Sequence, residues 1–121
     1  MKAIVIHHHG GPEMLKVEDV PIPSPEARQV LVNNRAIGVN YVDAQHRAGL
    51  NYPVMLPLIP GIEAAGIVEA VGSEVSLFTV GDRVGYAGYM GGNYAEYTLS
   101  LIHISEPTRR TPISYAVFCL K

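Results

Sequence analysis

The amino-acid sequence predicts a mainly β fold, a partly open β-barrel with one short helix. Short segments rich in β-branched residues recur along the chain and are separated by turn residues, and the 121 residues include 12 glycines and 9 prolines. One segment, 41–47, lacks helix breakers and is followed by Gly49. Many short strands with frequent turns are typical of barrels and sandwiches.

The first third of the chain predicts three strands. Residues 2–7 are apolar and β-branched, and a turn at 10–12 follows them. Residues 15–20 alternate apolar and charged side chains, as a half-buried strand does. Prolines 21, 23 and 25 rule out a helix and predict an extended connection to a long strand over 29–39.

The predicted helix over 41–47 ends at Gly49, and an irregular loop with three prolines follows over 51–60. Residues 62–71 carry little polarity and predict a strand that is buried on both faces. The remaining predicted elements are a turn at 81–82, a strand over 83–87, a glycine-rich turn over 88–93 and a last strand over 94–98.

Charge and cysteine content exclude several classes of function. The net charge of −2 and the lack of a Lys/Arg cluster argue against a nucleic-acid partner. The first residues form no signal-peptide core, and no apolar run is long enough to span a membrane. The single cysteine, Cys119, allows neither an internal disulfide nor a cysteine-rich metal site. We expect a cytoplasmic protein without a membrane partner.

The composition changes near residue 99. All 12 glycines lie between Gly10 and Gly92. Residues 99–109 and 113–120 resemble the one-frame translation of a transposase-type sequencing-library adapter, and the residues between them fit a variable index. We therefore expect 1–98 to be the native but incomplete domain and 99–121 to be a non-native adapter-derived tail. The alternative is a natural C-terminal strand and linker.

One motif carries most of the information about function. Gly61, Glu63, Gly66 and Gly72 lie in the run Gly-Ile-Glu-Ala-Ala-Gly-Ile-Val-Glu-Ala-Val-Gly. Their spacing resembles the catalytic domain of the medium-chain dehydrogenase/reductase superfamily. Three further motifs lie at 38–53, Gly81-Asp-Arg-Val84 and Tyr94-Ala-Glu-Tyr97. Together they resemble the quinone oxidoreductase (zeta-crystallin-like) branch over the whole of 1–98.

This resemblance implies a GroES-like N-terminal domain followed by a Rossmann domain, with NADPH as hydride donor and a homodimeric parent enzyme. In the zinc enzymes of the superfamily, a zinc-binding Cys stands at the position of Asn40 and a zinc-binding His at the position of Ile62. Isoleucine has no lone pair to give a metal. The resemblance therefore implies quinone reduction without a metal.

The resemblance also implies the site residues. Asn40 and Asp43 are expected in the cleft near the nicotinamide, where Asn40 is both a catalytic and a cofactor-binding candidate. Tyr41 and Tyr52 are expected in the quinone slot, where their hydroxyls can donate to the quinone oxygen.

Structural roles remain open for the same residues. Asn40 is also a good N-cap for the predicted helix, and Asp43 is spaced to pair with Arg47 one turn later. Glu63 is expected to pair with a buried arginine, and Tyr94 to pack in the barrel. Three consecutive histidines, 7–9, alternate between opposite faces of a strand and do not converge easily on a metal.

Two further functions stay open. A zinc-free enoyl reductase of the same superfamily fits the motifs, because substrate choice depends on residues beyond 98. A standalone GroES-like binding module without catalytic activity fits the barrel alone. No Gly-x-Gly-x-x-Gly turn opens a strand–helix unit in the chain. We therefore expect most NADPH contacts to be missing, together with the Rossmann domain.

Overall fold

The computed structural model describes residues 1–88, 91–101 and 116–119, and it confirms the mainly β class with one short α-helix in these ranges. The strands and helices, in chain order, are β1 Lys2–Val5, β2 Lys16–Asp19, β3 Gln29–Ile37, α1 Tyr41–Ala48, β4 Glu63–Val71, β5 Arg83–Ala87, β6 Tyr97–Leu101 and β7 Ala116–Cys119. A single 3₁₀ turn covers Pro12–Met14, where the sequence predicts a turn.

The strands form two antiparallel sheets that do not close into a full barrel. The larger sheet has the order β6-β3-β4-β5-β7, and β1 pairs with β2 in the smaller one. Isolated bridges join Ala3 to Ala95 and Ile6 to Leu58. The short sheet is thereby attached to the chain that leads into β6 and to the loop before β4.

The longest pairing, between β3 and β4, is irregular. Its register shifts between Leu31 and Val32 and again between Asn34 and Ala36. Gly66 lies opposite Asn34, and a Cβ on Gly66 would overlap the carbonyl oxygen of Asn33. A glycine is therefore required where the two backbones approach each other at the bulge.

The main core cluster is mostly aliphatic and is built largely from residues of the larger sheet. Val30, Val32, Val68 and Val84 are almost fully buried and pack together with Phe78. Burying a valine side chain of this kind stabilises the fold by about 1.5 kcal/mol or more. A second, smaller cluster joins Ala3 and Val5 of β1 to Ala95.

A partly buried network of hydrogen bonds joins strands of the larger sheet. The amide nitrogen of Asn34 donates to the carbonyl oxygen of Ala95 and to Oγ1 of Thr98, each at 2.9 Å. Its amide oxygen accepts a hydrogen bond of 2.6 Å from the Tyr86 hydroxyl. Three of the strands are therefore joined by one side chain in β3.

Three expectations about strands are wrong. The strand β2 is not half-buried as its alternation predicts, since Val17 is 69% exposed. The last strand begins at Tyr97 instead of residue 94, because the main-chain N–H of Tyr94 donates to the carbonyl of Pro60 in the preceding loop. The strand β4 is not buried on both faces. Its side chains alternate, and Glu63 and Glu69 are exposed while Ala64 and Val68 are buried.

The predicted tail falls largely on residues 102–115 and 120–121, which lie outside the described residues. Its described parts are the end of β6, where Leu101 pairs with Gln29, and β7, which pairs with β5 from Val84 to Ala87. No helix in the described part of the chain has the length and hydropathy needed to cross a membrane.

Candidate functional site

The site is built around the first turn of α1. Asn40 has an extended backbone and is the N-cap of the helix, which confirms its predicted capping role. Three residues later, the Asp43 carboxylate returns to the cap, and its Oδ2 accepts a hydrogen bond of 2.8 Å from the Asn40 main-chain N–H. Such a bond satisfies an N–H that the helix itself leaves without a partner.

A tyrosine from a distant segment completes this turn. The hydroxyl of Tyr94 donates to Oδ2 of Asp43 at 3.0 Å. The Tyr94 ring lies against Gly61, whose φ is +97°, and a Cβ on Gly61 would overlap that ring. Gly61 therefore serves two purposes, since it adopts a backbone conformation that other residues rarely take and leaves room for Tyr94.

The Asn40 side chain bonds in another direction. Its Nδ2 donates to Oε1 of Glu63, at the start of β4, over 3.0 Å. A Cβ on Gly38 would overlap the Glu63 side chain, so the missing side chain at 38 lets the carboxylate reach Asn40. Glu63 directly follows Ile62, which is half-buried just before the strand.

Two cavities adjoin this turn. One of about 260 Å³ lies over α1 and is lined by Leu15, Val39, Asn40, Asp43, Ala44, Arg47, Pro60 and Tyr94. The other, of about 380 Å³, lies beside β1 and β3 and is mostly apolar. Val39 and Tyr94 line both cavities, and Val39 is 83% exposed. These two residues form the wall between the cavities.

The structure brings together two of the four predicted site residues. Asn40 and Asp43 line the same cavity. Tyr41 is 80% exposed at the start of α1, and Tyr52 is 50% exposed beyond its C-terminal end, where its ring meets that of His46 edge-on at 5.9 Å. Neither tyrosine lines the two cavities.

Several expected partners are different in the structure. Arg47 does not pair with Asp43; its Nε donates to the carbonyl oxygen of Gly10 at 3.2 Å. Glu63 bonds to Asn40 instead of an arginine. The histidines separate, since His7 bonds to Glu18 and His9 to the carbonyl of Arg47.

Tyr94 is the site residue that the sequence interpretation missed. Packing was expected for it, and its ring does pack on Gly61, but its hydroxyl reaches the Asp43 carboxylate. Tyr94 and Asp43 are 51 residues apart, and no local spacing in the sequence signals such a contact.

The surroundings of the Tyr94 phenol change its ionisation. Burial, the hydrogen bond to Asp43 and the negative charge of Asp43 raise the pKa of Tyr94 to about 12. Asp43 itself is only 5% exposed, and its Oδ1 has no hydrogen-bond partner among the described residues. The turn therefore holds a buried carboxylate through one of its two oxygens.

Comparison with known proteins assigns this architecture to a family. Residues 26–103 match the family described as alcohol dehydrogenase GroES-like domain. The chain belongs to this family. The matched range contains α1, β3, β4, β5 and all four residues of the hydrogen-bonded turn, Asn40, Asp43, Glu63 and Tyr94.

Quinone oxidoreductases are among the most similar relatives. The chain is 47% identical over 105 residues to the quinone oxidoreductase of Lama guanicoe, covering 85% of this chain and 32% of the relative. A crystal structure of the Escherichia coli quinone oxidoreductase complexed with NADPH matches with a TM-score of 0.78 and 41% identity, over 82% of this chain and 30% of that one.

A relative with another name matches at similar identity over a shorter range. The 2-haloacrylate reductase of a Burkholderia species is 48% identical over 85 residues, which cover 68% of this chain and 26% of the relative. The chain spans about a third of the length of the curated quinone oxidoreductases that it matches.

Proposed function

We propose that this chain is the GroES-like part of a cytoplasmic, homodimeric NADPH-dependent quinone oxidoreductase that works without zinc. The observation that carries the proposal is the hydrogen bond between the Asn40 amide and the Glu63 carboxylate. In the zinc enzymes of the superfamily, positions 40 and 62 carry metal ligands. The bond here joins position 40 to the residue that follows position 62. The names of the relatives support the quinone and the cofactor.

The residues present do not fit zinc. Zinc prefers thiolate, imidazole and carboxylate donors, and here it would meet a neutral amide, an isoleucine and one carboxylate that already accepts a hydrogen bond. Within the described ranges, no group of three or more His, Cys, Asp or Glu side chains is placed to hold a metal ion.

The same residues fit the nicotinamide end of NADPH. Asp43 lines the cavity and fixes the Asn40 main chain, the Asn40 amide has a second N–H beyond the one given to Glu63, and Val39 adds an apolar wall. Asn40, positioned by Asp43, would therefore hold a carboxamide beside the wall formed by Val39 and Tyr94. When bound, NADPH supplies a hydride, which together with a proton from water reduces the quinone to a hydroquinone and leaves NADP⁺.

A quinone needs less assistance than a ketone. Its carbonyl is already electrophilic, and the oxygen charge formed on reduction is delocalised into the ring, so that hydrogen-bond donors can replace a Lewis acid. Tyr41 and Tyr52 are the proposed donors. Both are largely exposed, and in a longer chain a second domain can cover them.

The test is a chimera in which residues 1–98 replace the corresponding domain of the Escherichia coli quinone oxidoreductase. Steady-state NADPH oxidation with a quinone measures the activity. Replacing Tyr52 by Phe is expected to raise KM or lower kcat, while Tyr97→Phe, at a residue that lines neither cavity, serves as the matched control. Unchanged kinetics in Tyr52→Phe would remove this residue from the site.

A carbon–carbon double-bond reductase is the second candidate. It is favoured by the match to a 2-haloacrylate reductase, a name that specifies an α,β-unsaturated acid. Assaying the same chimera with a quinone and with 2-chloroacrylate separates the two functions by their relative kcat/KM.

We also propose that residues 99–121 are adapter-derived. Sequencing the source DNA across codon 98, with primers outside the original read, tests this. Continuation into about two hundred further residues with a glycine-rich strand–turn–helix would support the proposal. Codons for 99–121 followed by a stop would contradict it and favour a standalone, non-catalytic module.

A further inference from the structure

Tyr94, at the wall between the two cavities, is held through both its main chain and its ring. Its main-chain N–H donates to Pro60 at 2.9 Å, and its carbonyl accepts from the N–H of Ile4 at 2.8 Å. Its ring fills the space left by Gly61. The hydroxyl is therefore presented from a fixed backbone and a fixed ring.

Asp43 depends on this hydroxyl. The carboxylate is buried, and only Oδ2 has partners, namely the Tyr94 hydroxyl and the Asn40 N–H. Oδ1 has none among the described residues. Without the tyrosine hydroxyl, the carboxylate would keep a single anchor, which comes from its own helix.

Asn40 depends in turn on Asp43. The Asp43 carboxylate fixes the Asn40 main chain, and the Asn40 side chain reaches across to Glu63. A chain of three hydrogen bonds thus runs from Tyr94 through Asp43 and Asn40 to the beginning of β4. Tyr94, Asp43 and Asn40 line the cavity over α1, and Glu63 lies outside it.

We propose that Tyr94 is a positioning residue of this site, and that its hydroxyl fixes the Asp43 carboxylate and thereby the orientation of Asn40. The inference rests on the proposed function, because it gives Tyr94 a role in holding the groups that would bind the nicotinamide. It does not make Tyr94 a catalytic residue. The hydroxyl proton is committed to Asp43, so Tyr94 offers the cavity an acceptor oxygen.

The test compares Tyr94→Phe with Tyr97→Phe in the 121-residue chain. Phenylalanine keeps the ring that packs on Gly61 and removes only the hydroxyl. The Tyr97 hydroxyl bonds to Asn33 at 3.3 Å and lines neither of the two cavities, so its loss controls for deleting a phenol oxygen. Hydrogen exchange of the Asn40 main-chain N–H is measured, with the N–H of Val68 in the core strand β4 as reporter of global opening.

Losing one charge-assisted hydrogen bond is expected to speed Asn40 exchange about tenfold relative to Val68 in Tyr94→Phe, and to leave that ratio unchanged in Tyr97→Phe. An unchanged ratio in Tyr94→Phe would overturn the proposal.

The second readout is binding of reduced nicotinamide mononucleotide, followed by NMR shifts. The dissociation constant is expected to rise about fivefold to tenfold in Tyr94→Phe only. Faster exchange with an unchanged dissociation constant would reduce Tyr94 to a structural support and overturn its role in the site. If the wild-type chain shows no saturable binding, the proposed cofactor placement fails, and the exchange ratio alone decides whether Tyr94 positions Asn40.

Discussion

The Tyr94 hydroxyl donates a 3.0 Å hydrogen bond to Oδ2 of Asp43, which links the segment before β6 to the first turn of α1. Through this contact, a carboxylate with no cationic partner among the described residues is held beside Asn40, the other residue that the resemblance places near the nicotinamide.

Replacing Asp43 by Asn should lower the pKa of Tyr94 from about 12 towards its ordinary value of 10. The carboxylate stabilises the protonated phenol as an acceptor and repels the phenolate, and the amide retains only part of this effect. Tyrosinate absorbance against pH measures the change. Asp82→Asn, which alters a carboxylate that accepts from the Thr79 N–H, should leave the Tyr94 titration as in the wild type.

The free energy of unfolding should fall as the pH rises through the range from about 10 to 12. The pKa of Tyr94 is raised in the folded state, so its contribution to stability is complete below pH 10 and disappears once the phenol ionises in both states. Burial also raises the pKa of Tyr86, which adds to the same trend. Urea unfolding across this range should show a shallower decline in Tyr94→Phe than in the wild type, and equal slopes would contradict the assignment.

Replacing Asn34 by Ala should destabilise the domain by about 3 kcal/mol, because several buried donors and acceptors lose their partner at once. Asn33→Ala, at the neighbouring position, removes one hydrogen bond of 3.3 Å to Tyr97 and should cost about 1 kcal/mol. Chemical denaturation of both variants measures the difference. Similar losses of stability in the two variants would show that the hydrogen bonds of Asn34 do not hold the strands together.

Alternation and turn residues predicted the positions of β2, β5 and the helix that ends at Gly49. The expected half-burial of β2 was wrong, because its apolar Val17 is exposed. The predicted start of the last strand at Tyr94 was wrong, because the hydrogen bond from Tyr94 to Pro60 depends on how the loop before β4 folds. The prediction that β4 is buried on both faces was wrong, because alanine and glycine give no clear signal of burial. Asn40 and Asp43 were found through motifs, whereas their partners are distant in sequence and follow from the tertiary structure alone.

Restoring the donors of the zinc enzymes should restore metal binding. In Asn40→Cys/Ile62→His, a thiolate and an imidazole would join Glu63, whose carboxylate lies 3.0 Å from the Asn40 amide. Affinity for Co²⁺, followed by the thiolate–cobalt absorption band, should rise about tenfold or more over the wild type. Asn40→Cys alone is the control for a new thiol, and an equal response from it would show that position 62 does not face the same point.

Whether the site works without zinc is tested most directly by NADPH oxidation in the chimera that carries residues 1–98. The rate is measured with a quinone before and after incubation with the zinc chelator 1,10-phenanthroline. If the site works without zinc, the chimera oxidises NADPH in a quinone-dependent reaction at a rate that the chelator does not change. Activity that the chelator abolishes and added zinc restores would contradict this prediction, since a metal would then be needed where Asn40 bonds to Glu63.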